Sequence, residues 1–336
     1  LIPNQDYQWR VRCGCSLNPL VAGPWIEFQE FNSGDVGDLS LPDADFRAQP
    51  ICAVEDKPVL FTNLAGDSAQ TYLWDFGDGT TSTEINPSKV YSSPGVYTVS
   101  LTVSNSSAQA GEVKSEYITV NASSCPASIT DIDGNTYEVV QICEDCWMAE
   151  NLNTSKYANG DDIPLLTNNT WYSTGNGAFN IYSGESNYGS ENEKYYNWYA
   201  TADSRNLCPN GWHVSSEEDW VDLELALGMP SDEVSEIGAR GIAENVGGAL
   251  KSQLFDPPNQ GATNLVEFNA SGIGIKNCCI NSQGTWKGIN ENQYFWTAVS
   301  SGSIIAINRS VSKNTSGIGR NIDHKRFGFS IRCVQD

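Results

Sequence analysis

Hydrophobic positions along this chain recur mostly with period two. Tyr7, Trp9, Val11, Cys13 and Cys15 alternate with polar residues, Arg10 and Arg12 among them, which predicts a half-buried strand. Trp25–Phe31 predicts a second strand after a loop carrying Asn18-Pro19 and Gly23-Pro24. Two strands bury too little surface to stand by themselves, so block 1–33 needs cover from elsewhere. Residues 34–42 are small, acidic and end in proline, the composition of a linker. Over 43–122, short runs at Ala44–Phe46, Val59–Phe61, Tyr72–Phe76, Gly95–Val103 and Tyr117–Val120 are separated by turn residues such as Gly77-Asp78-Gly79. That spacing predicts a β-sandwich.

A second linker, 123–127, leads into 128–336, where the pattern mixes. Asp133-Gly134-Asn135 predicts a hairpin turn. Ser215-Ser-Glu-Glu218 reads as a capping box ahead of a helix with Trp220, Leu223 and Leu227 on one face and Gly228 as its stop. Further helices are expected at Tyr196–Ala202 and at Ala243–Lys251, the latter weakened by Gly247-Gly248. Strands are expected at Tyr294–Ala298, Ile304–Asn308 and Phe327–Val334. The whole reads as multidomain: a fragment of one β-sandwich, a complete β-sandwich, then an α+β domain.

The net charge of −22 argues against nucleic acid, whose phosphates call for a basic footprint, and against docking on anionic lipid. No apolar run reaches the ~20 residues of a membrane span. The chain lacks an initial Met and a signal peptide, so its first residue is expected to lie inside a longer or processed protein. Ten cysteines in even number, against two histidines, suggest an oxidising compartment outside the cell or on its surface. Cys143-Glu-Asp-Cys146 is read as a structural disulfide ahead of a redox pair or half of a zinc site, since no second C-x-x-C or histidine pair accompanies it.

Three resemblances follow from these patterns. Leu1-x-Pro3-x-x-x-Tyr7-x-Trp9-x-Val11, with Gly23-x-Trp25 and Phe31, resembles the last two strands of a fibronectin type III domain, with Tyr7 as its tyrosine corner. Trp74-Asp-Phe-Gly-Asp-Gly79, Asn86-Pro87, Tyr91 and Gly95–Val103 resemble a PKD domain over about 43–121; such domains are mostly spacers and adhesion modules. The resemblance offers Asp75 and Asp78 as weak calcium candidates, against the alternative that they serve the turn. It also puts the first and last strands side by side, suggesting a Cys52–Cys125 bridge.

The remainder resembles the Fibrobacter succinogenes major paralogous domain: Ile129–Tyr137, Trp147–Leu152, Tyr196-Asn-Trp198, Cys208-Pro-Asn-Gly-Trp-His213, Glu218-Asp-Trp220, Leu250-Lys-Ser252, Phe295–Ala298 and Gly328–Asp336. The resemblance implies a C-type-lectin-like fold related to the formylglycine-generating enzyme domain, on secreted and surface proteins of Fibrobacter and Bacteroidetes-type bacteria, with Asp336 as a natural C-terminus. It implies a Cys208–Cys333 bridge. Cys278-Cys279 departs from the family pattern and leaves open a vicinal bridge or separate partners, Cys143 and Cys146 among them. The pairing of Cys13 and Cys15 also stays open.

Catalysis finds little purchase. The late cysteines lack the surrounding enzyme motif, and no Ser/His/Asp order, phosphate loop or H-E-x-x-H is present. His213 reads as a packed, hydrogen-bonded residue, His324 as solvated, and Glu217-Glu218 as first-turn helix residues. The Glu-Pro-Asn, Gln-Pro-Asp and Trp-Asn-Asp runs of calcium-dependent lectins are absent. Trp171, Tyr172, Phe179, Tyr182 and Tyr188, in a nearly uncharged insertion, present a glycan surface as one reading, packing on the domain as the favoured one, and a protein contact as a third. Asp67-Ser68-Ala69 resembles an O-glycosylation sequon of secreted Bacteroidetes proteins, with Ser68 the acceptor. The expectation is a non-enzymatic adhesin or surface-fibre component without cofactor, its partners other surface subunits, glycans or the upstream part of the same protein. The alternative is a carbohydrate-binding module, accessory to a hydrolase encoded upstream.

Overall fold

The computed structural model describes residues 42–167, 169–182, 193–278 and 285–336, and in the first block the backbone of four short strands. There Asp6–Tyr7 pairs with Phe31–Asn32, and Arg10–Val11 with Ile26–Glu27, all antiparallel. The expectation that Tyr7, Trp9 and Val11 need cover from elsewhere falls outside the described residues.

The second block is a sandwich. One sheet runs in the order Ser88–Val90, Pro58–Asn63, Phe46–Gln49. The other runs Cys52–Val54, Gln109–Asn121, Gly95–Ser104, Thr71–Asp75, Thr81–Ser82. Cys52–Val54 and Gln109–Asn121, the first and last strands of this sheet along the chain, pair in parallel, Thr119 opposite Cys52. Alternation along Gly95–Ser104 turns Val99, Leu101 and Val103 inward onto Phe46, Phe61, Trp74 and Phe76. The Trp74 indole is fully buried and donates to the Glu84 carbonyl at 2.8 Å, and Phe46 meets it edge-on at 5.2 Å. Burial of such a ring without that bond would cost the stranded N–H. Gly77 holds φ at +78°, and a Cβ there would lie 2.3 Å from the Thr98 carbonyl oxygen, so the turn after Trp74 admits glycine only.

The third block is mostly β with short helices. Its first sheet has the order Ser128–Thr130, Thr136–Ile142, Asp145–Met148, Cys333–Gln335, Trp212–Val214. Its second has the order Gly238–Arg240, Ile318–His324, Ile305–Ser312, Asn292–Ser300. The last strand, Cys333–Gln335, thus lies between elements from the start and the middle of the block. The principal helix, Glu217–Ala226, packs Trp220 and Leu223 against Trp147, Phe268 and Phe295. Its capping box falls one residue later than the sequence pattern predicts, with Ser216 as N-cap and Asp219 at the third position. Ser215 is already engaged: its hydroxyl accepts the buried Trp220 indole N–H at 3.0 Å.

The expected helices at Tyr196–Ala202 and Ala243–Lys251 shrink to Trp198–Thr201 and Val246–Leu250. In the second, the glycines that weaken the helix are packing devices. A Cβ at Gly247 would lie 1.9 Å from the Gly317 carbonyl oxygen, and one at Gly248 2.1 Å from that of Gly261.

Candidate functional site

Sandwich and C-terminal domain meet at a bonded junction. Cys52 is disulfide-linked to Cys143 and Cys125 to Cys146. Both expected bridges, Cys143–Cys146 and Cys52–Cys125, are therefore corrected. The reason is register. In the hairpin of Thr136–Ile142 and Asp145–Met148, Cys146 stands opposite Gln141, whereas Cys143 occupies the turn at φ +59°. The two sulfurs are presented differently, and each meets a partner from the preceding block. Around them Ile51 N–H donates to the Ala226 carbonyl at 2.8 Å, and Gln49 Nε2 donates to the carbonyls of Glu244 and Leu227 at 2.7 and 3.2 Å. Lys57 pairs with Glu267 at 2.8 Å. Beside the two bridges lies a cavity of about 270 Å³, lined by Val54, Val139, Ile142, Leu265 and Val266.

Cys208 and Cys333 form the third bridge, across 125 positions of sequence. Cys278 is disulfide-bonded. Cys13, Cys15 and Cys279 lie outside the described residues.

The aromatic insertion divides. Trp171 and Phe179 are buried, with Trp171 close against Gly328, where a Cβ would come 3.1 Å from its ring. Arg326 donates from Nε to the Thr174 carbonyl at 2.9 Å and ties the insertion to the C-terminal strand region. Tyr172 and Tyr182 remain half-buried, and Tyr188 lies outside the described residues. Tyr182 and Tyr195 stand near-perpendicular to Trp286 at 5.0 and 4.5 Å, and Lys276 Nζ sits 4.7 Å from the Trp286 ring centre. The outer end of the insertion is thus anchored on Trp286, a residue far beyond it along the chain that no local pattern singles out.

The carboxylates offered for calcium are spent on the turn. Asp75 Oδ1 accepts from Gly77 N–H at 2.9 Å. Asp78 Oδ1 accepts from the Thr80 amide and hydroxyl at 3.0 and 2.6 Å, and its other oxygen pairs with Lys89. Burial would raise the Asp78 pKa, but the bonds from Lys89 and Thr80 outweigh it and lower it. No cluster of three or more metal-binding side chains occurs among the described residues. Ser68 lies half-buried in a turn closed by Ala69 N–H on the Gly66 carbonyl at 3.1 Å.

His213 is held between two carboxylates, Nδ1 at 2.8 Å from Asp336 and Nε2 at 3.1 Å from Asp219. Burial opposes its charge, yet those two bonds raise its pKa above the ordinary value. His324 is half-buried, and its Nδ1 accepts from Arg326 N–H at 3.2 Å. Glu217, read from sequence as a dipole-complementing residue, bonds Arg309 and Arg320.

Sequence reasoning missed the buried charges. Glu224 takes Arg240 and Arg309 together, all three side chains at or below 1% exposure. Arg332 is sealed under Phe268, its guanidinium donating to the Met148 and Phe268 carbonyls at 2.9 and 2.7 Å, and burial pushes its pKa down. Lys251 Nζ donates to the carbonyls of Gln260, Ser312 and Thr315, and burial lowers its pKa to about 8. A signal was present: Arg309 shares the inward face of Ile307 and Val311, and Glu224 sits one turn after Trp220.

Comparison with known proteins divides the chain at the same junction. A family model for the PKD domain matches residues 40–120, and one for the Fibrobacter succinogenes major domain matches residues 140–335. Collagenase ColA of Bacillus cereus is 67% identical over 36 residues, 11% of this chain and 4% of that protein. Collagenase ColQ1 of Bacillus cereus strain Q1 is 54% identical over 46 residues, 14% of this chain and 5% of that protein. The chain thus spans only about a twentieth of the length of these curated relatives. The PKD1 domain of the Vibrio cholerae metalloprotease PrtV is 35% identical with a TM-score of 0.21, covering 24% of this chain and 98% of that one. The PKD1 domain of Vibrio anguillarum Epp is 31% identical with a TM-score of 0.22 and the same coverage. Since the major-domain match takes in more than half of its residues, the chain belongs to the Fibrobacter succinogenes major domain family and carries a PKD domain ahead of that segment.

Proposed function

We propose that this chain is part of a modular secreted or cell-surface protein, in which a disulfide-braced PKD sandwich presents the C-terminal domain to the surroundings without catalysing a reaction. The observation that carries the reading is the pair of bridges Cys52–Cys143 and Cys125–Cys146 across the junction. Bridges of this kind form and persist in oxidising compartments. In support, the buried charges of Glu224, Arg240, Arg309 and Lys251 are committed to one another or to backbone carbonyls, and His213 is committed to two carboxylates. Within this reading the C-terminal domain has a C-type-lectin-like fold, the first block is the end of a fibronectin type III domain, Ser68 is an O-glycosylation acceptor, and the protein serves as an adhesin.

A second reading, glycan binding, has one observation in its favour: half-buried Tyr182 and Trp286, packed edge to face, leave aromatic surface against which a sugar ring could pack. An accessory role beside a hydrolase would fit the partial likeness to collagenases, but that likeness covers only a small part of those proteins.

The test is adhesion without turnover. Beads bearing the full chain are passed over collagen and a panel of insoluble polysaccharides, and the same surfaces are assayed for released sugars or peptide ends. Retention with no release supports the display reading, and retention on polysaccharide lost in a Tyr182→Ala, Trp286→Ala variant supports the glycan reading. Release of product, or absence of the native protein from extracellular and surface fractions, overturns the proposal.

A further inference from the structure

The disulfide arrangement gives tension a shortcut across the junction. The edge strand Phe46–Gln49 enters the PKD sandwich, and just beyond it Cys52 is bonded to Cys143, in the first hairpin of the C-terminal domain. The residues that follow Cys52 build almost all of the sandwich before the chain returns to Cys143. The Cα atoms of the two cysteines lie 5.0 Å apart although 91 positions separate them in sequence.

We infer that, when the chain is pulled between its N-terminal side and the C-terminal domain, load passes from Cys52 directly to Cys143, and residues 53–142 hang on a closed loop that bears none of it. The PKD sandwich is then a folded side loop of the load path and not a spacer in series, which departs from the spacer role its resemblance suggests. Of its described strands, Phe46–Gln49 alone lies upstream of the bond and feels the pull. Gln49 and Ile51, hydrogen-bonded to Leu227, Glu244 and Ala226, share that load before the bond becomes taut.

The second bridge is a reserve. Cys125–Cys146 offers a longer route to the same hairpin and stays slack while Cys52–Cys143 holds. Beyond the junction, Cys208–Cys333 closes another loop of 125 positions, so with these described bridges intact residues 144–207 are the stretch between Cys52 and Cys333 that lengthens.

The inference draws its biological meaning from the surface reading above but fails or stands separately: adhesion tests that reading, and extension under force tests this one. The full chain is held by its two ends in a single-molecule force instrument under non-reducing conditions and stretched to its final length. A Cys52→Ser, Cys143→Ser variant should end longer than the wild type by roughly 250 Å, at ~3.3–3.6 Å per residue, as residues 53–124 enter the path and Cys125–Cys146 takes the load. A Cys125→Ser, Cys146→Ser variant should end at the wild-type length. If the first variant does not fold, reducing agent admitted to the folded wild-type chain under constant force gives the same reading, with the hidden lengths appearing as steps. Equal final lengths for the wild type and the first variant, a longer second variant, or a wild type unaffected by reductant would overturn the inference.

Discussion

Glu224 and Arg240 face each other as a two-pronged ion pair from which water is excluded. Arg240 donates to the two carboxylate oxygens at 2.8 and 2.9 Å, and the side chains are 0% and 1% exposed. Arg309 Nε adds a third bond at 2.6 Å to the same carboxylate. One anion on the Glu224 helix thus holds two cations from the strands Gly238–Arg240 and Ile305–Ser312.

Glu224→Gln leaves the size of the side chain intact and removes the charge. Two buried guanidinium groups then lose their shared anion, an effect worth about 3–5 kcal/mol when one partner of a buried pair is removed. Urea unfolding of the C-terminal domain should show that loss. A cost below about 1 kcal/mol would mean that Glu217, bonded to Arg309 and Arg320, can carry the network without Glu224.

Peptide mapping of the unreduced protein should recover Cys52 joined to Cys143, Cys125 to Cys146 and Cys208 to Cys333, with none of these labelled by a thiol reagent before reduction. Recovery of Cys143 joined to Cys146 would contradict the junction. Replacing Cys208 and Cys333 together by serine should cost about 5 kcal/mol, the loop-closure entropy of so long a loop.

Trp171→Ala should destabilise the C-terminal domain by about 3–5 kcal/mol, as befits a buried indole replaced by a methyl group. An unchanged melting temperature together with loss of a glycan ligand would show the ring to be working at the surface instead.

The pH dependence of stability should carry a mark of His213. Its raised pKa, set by Asp336 and Asp219 against the opposing effect of burial, means that the folded protein holds the proton more tightly than the unfolded chain. That stabilisation is complete below the unfolded histidine value of about 6.5 and is lost as pH rises through the folded value. Asp145, its pKa held up by burial and by the neighbouring Asp219, Asp222 and Glu144, also feels the His213 charge. The unfolding free energy measured from about pH 5.5 to about pH 8.5 should therefore fall more steeply for the wild type than for His213→Gln. Parallel curves would remove the histidine from the account.

The sequence carried the sandwich plainly, because Trp74-Asp-Phe-Gly-Asp-Gly79 encodes both a buried indole and a turn that only glycine can make. Local signals failed where distant chemistry competed for the same group. Ser215 looked like the N-cap until Trp220 claimed its hydroxyl. Cys143 and Cys146 looked like each other's partners because they are neighbours in sequence, whereas sulfur pairing follows the register of a hairpin and the approach of another domain. The aromatic insertion was legible in composition only. Which of its rings is buried depends on Gly328 and Trp286, more than a hundred residues further on.

The junction also bears on heredity. A recombination point between 122 and Cys125 separates Cys52 from Cys143 and strands one thiol on each product, and one just after Cys125 separates both pairs and strands two. A gene segment for this PKD domain cannot be shuffled onto a foreign neighbour, nor the C-terminal segment onto a foreign stalk, without leaving a reactive sulfur to misoxidise. The two domains, separate by family, are therefore held together as a single unit of inheritance.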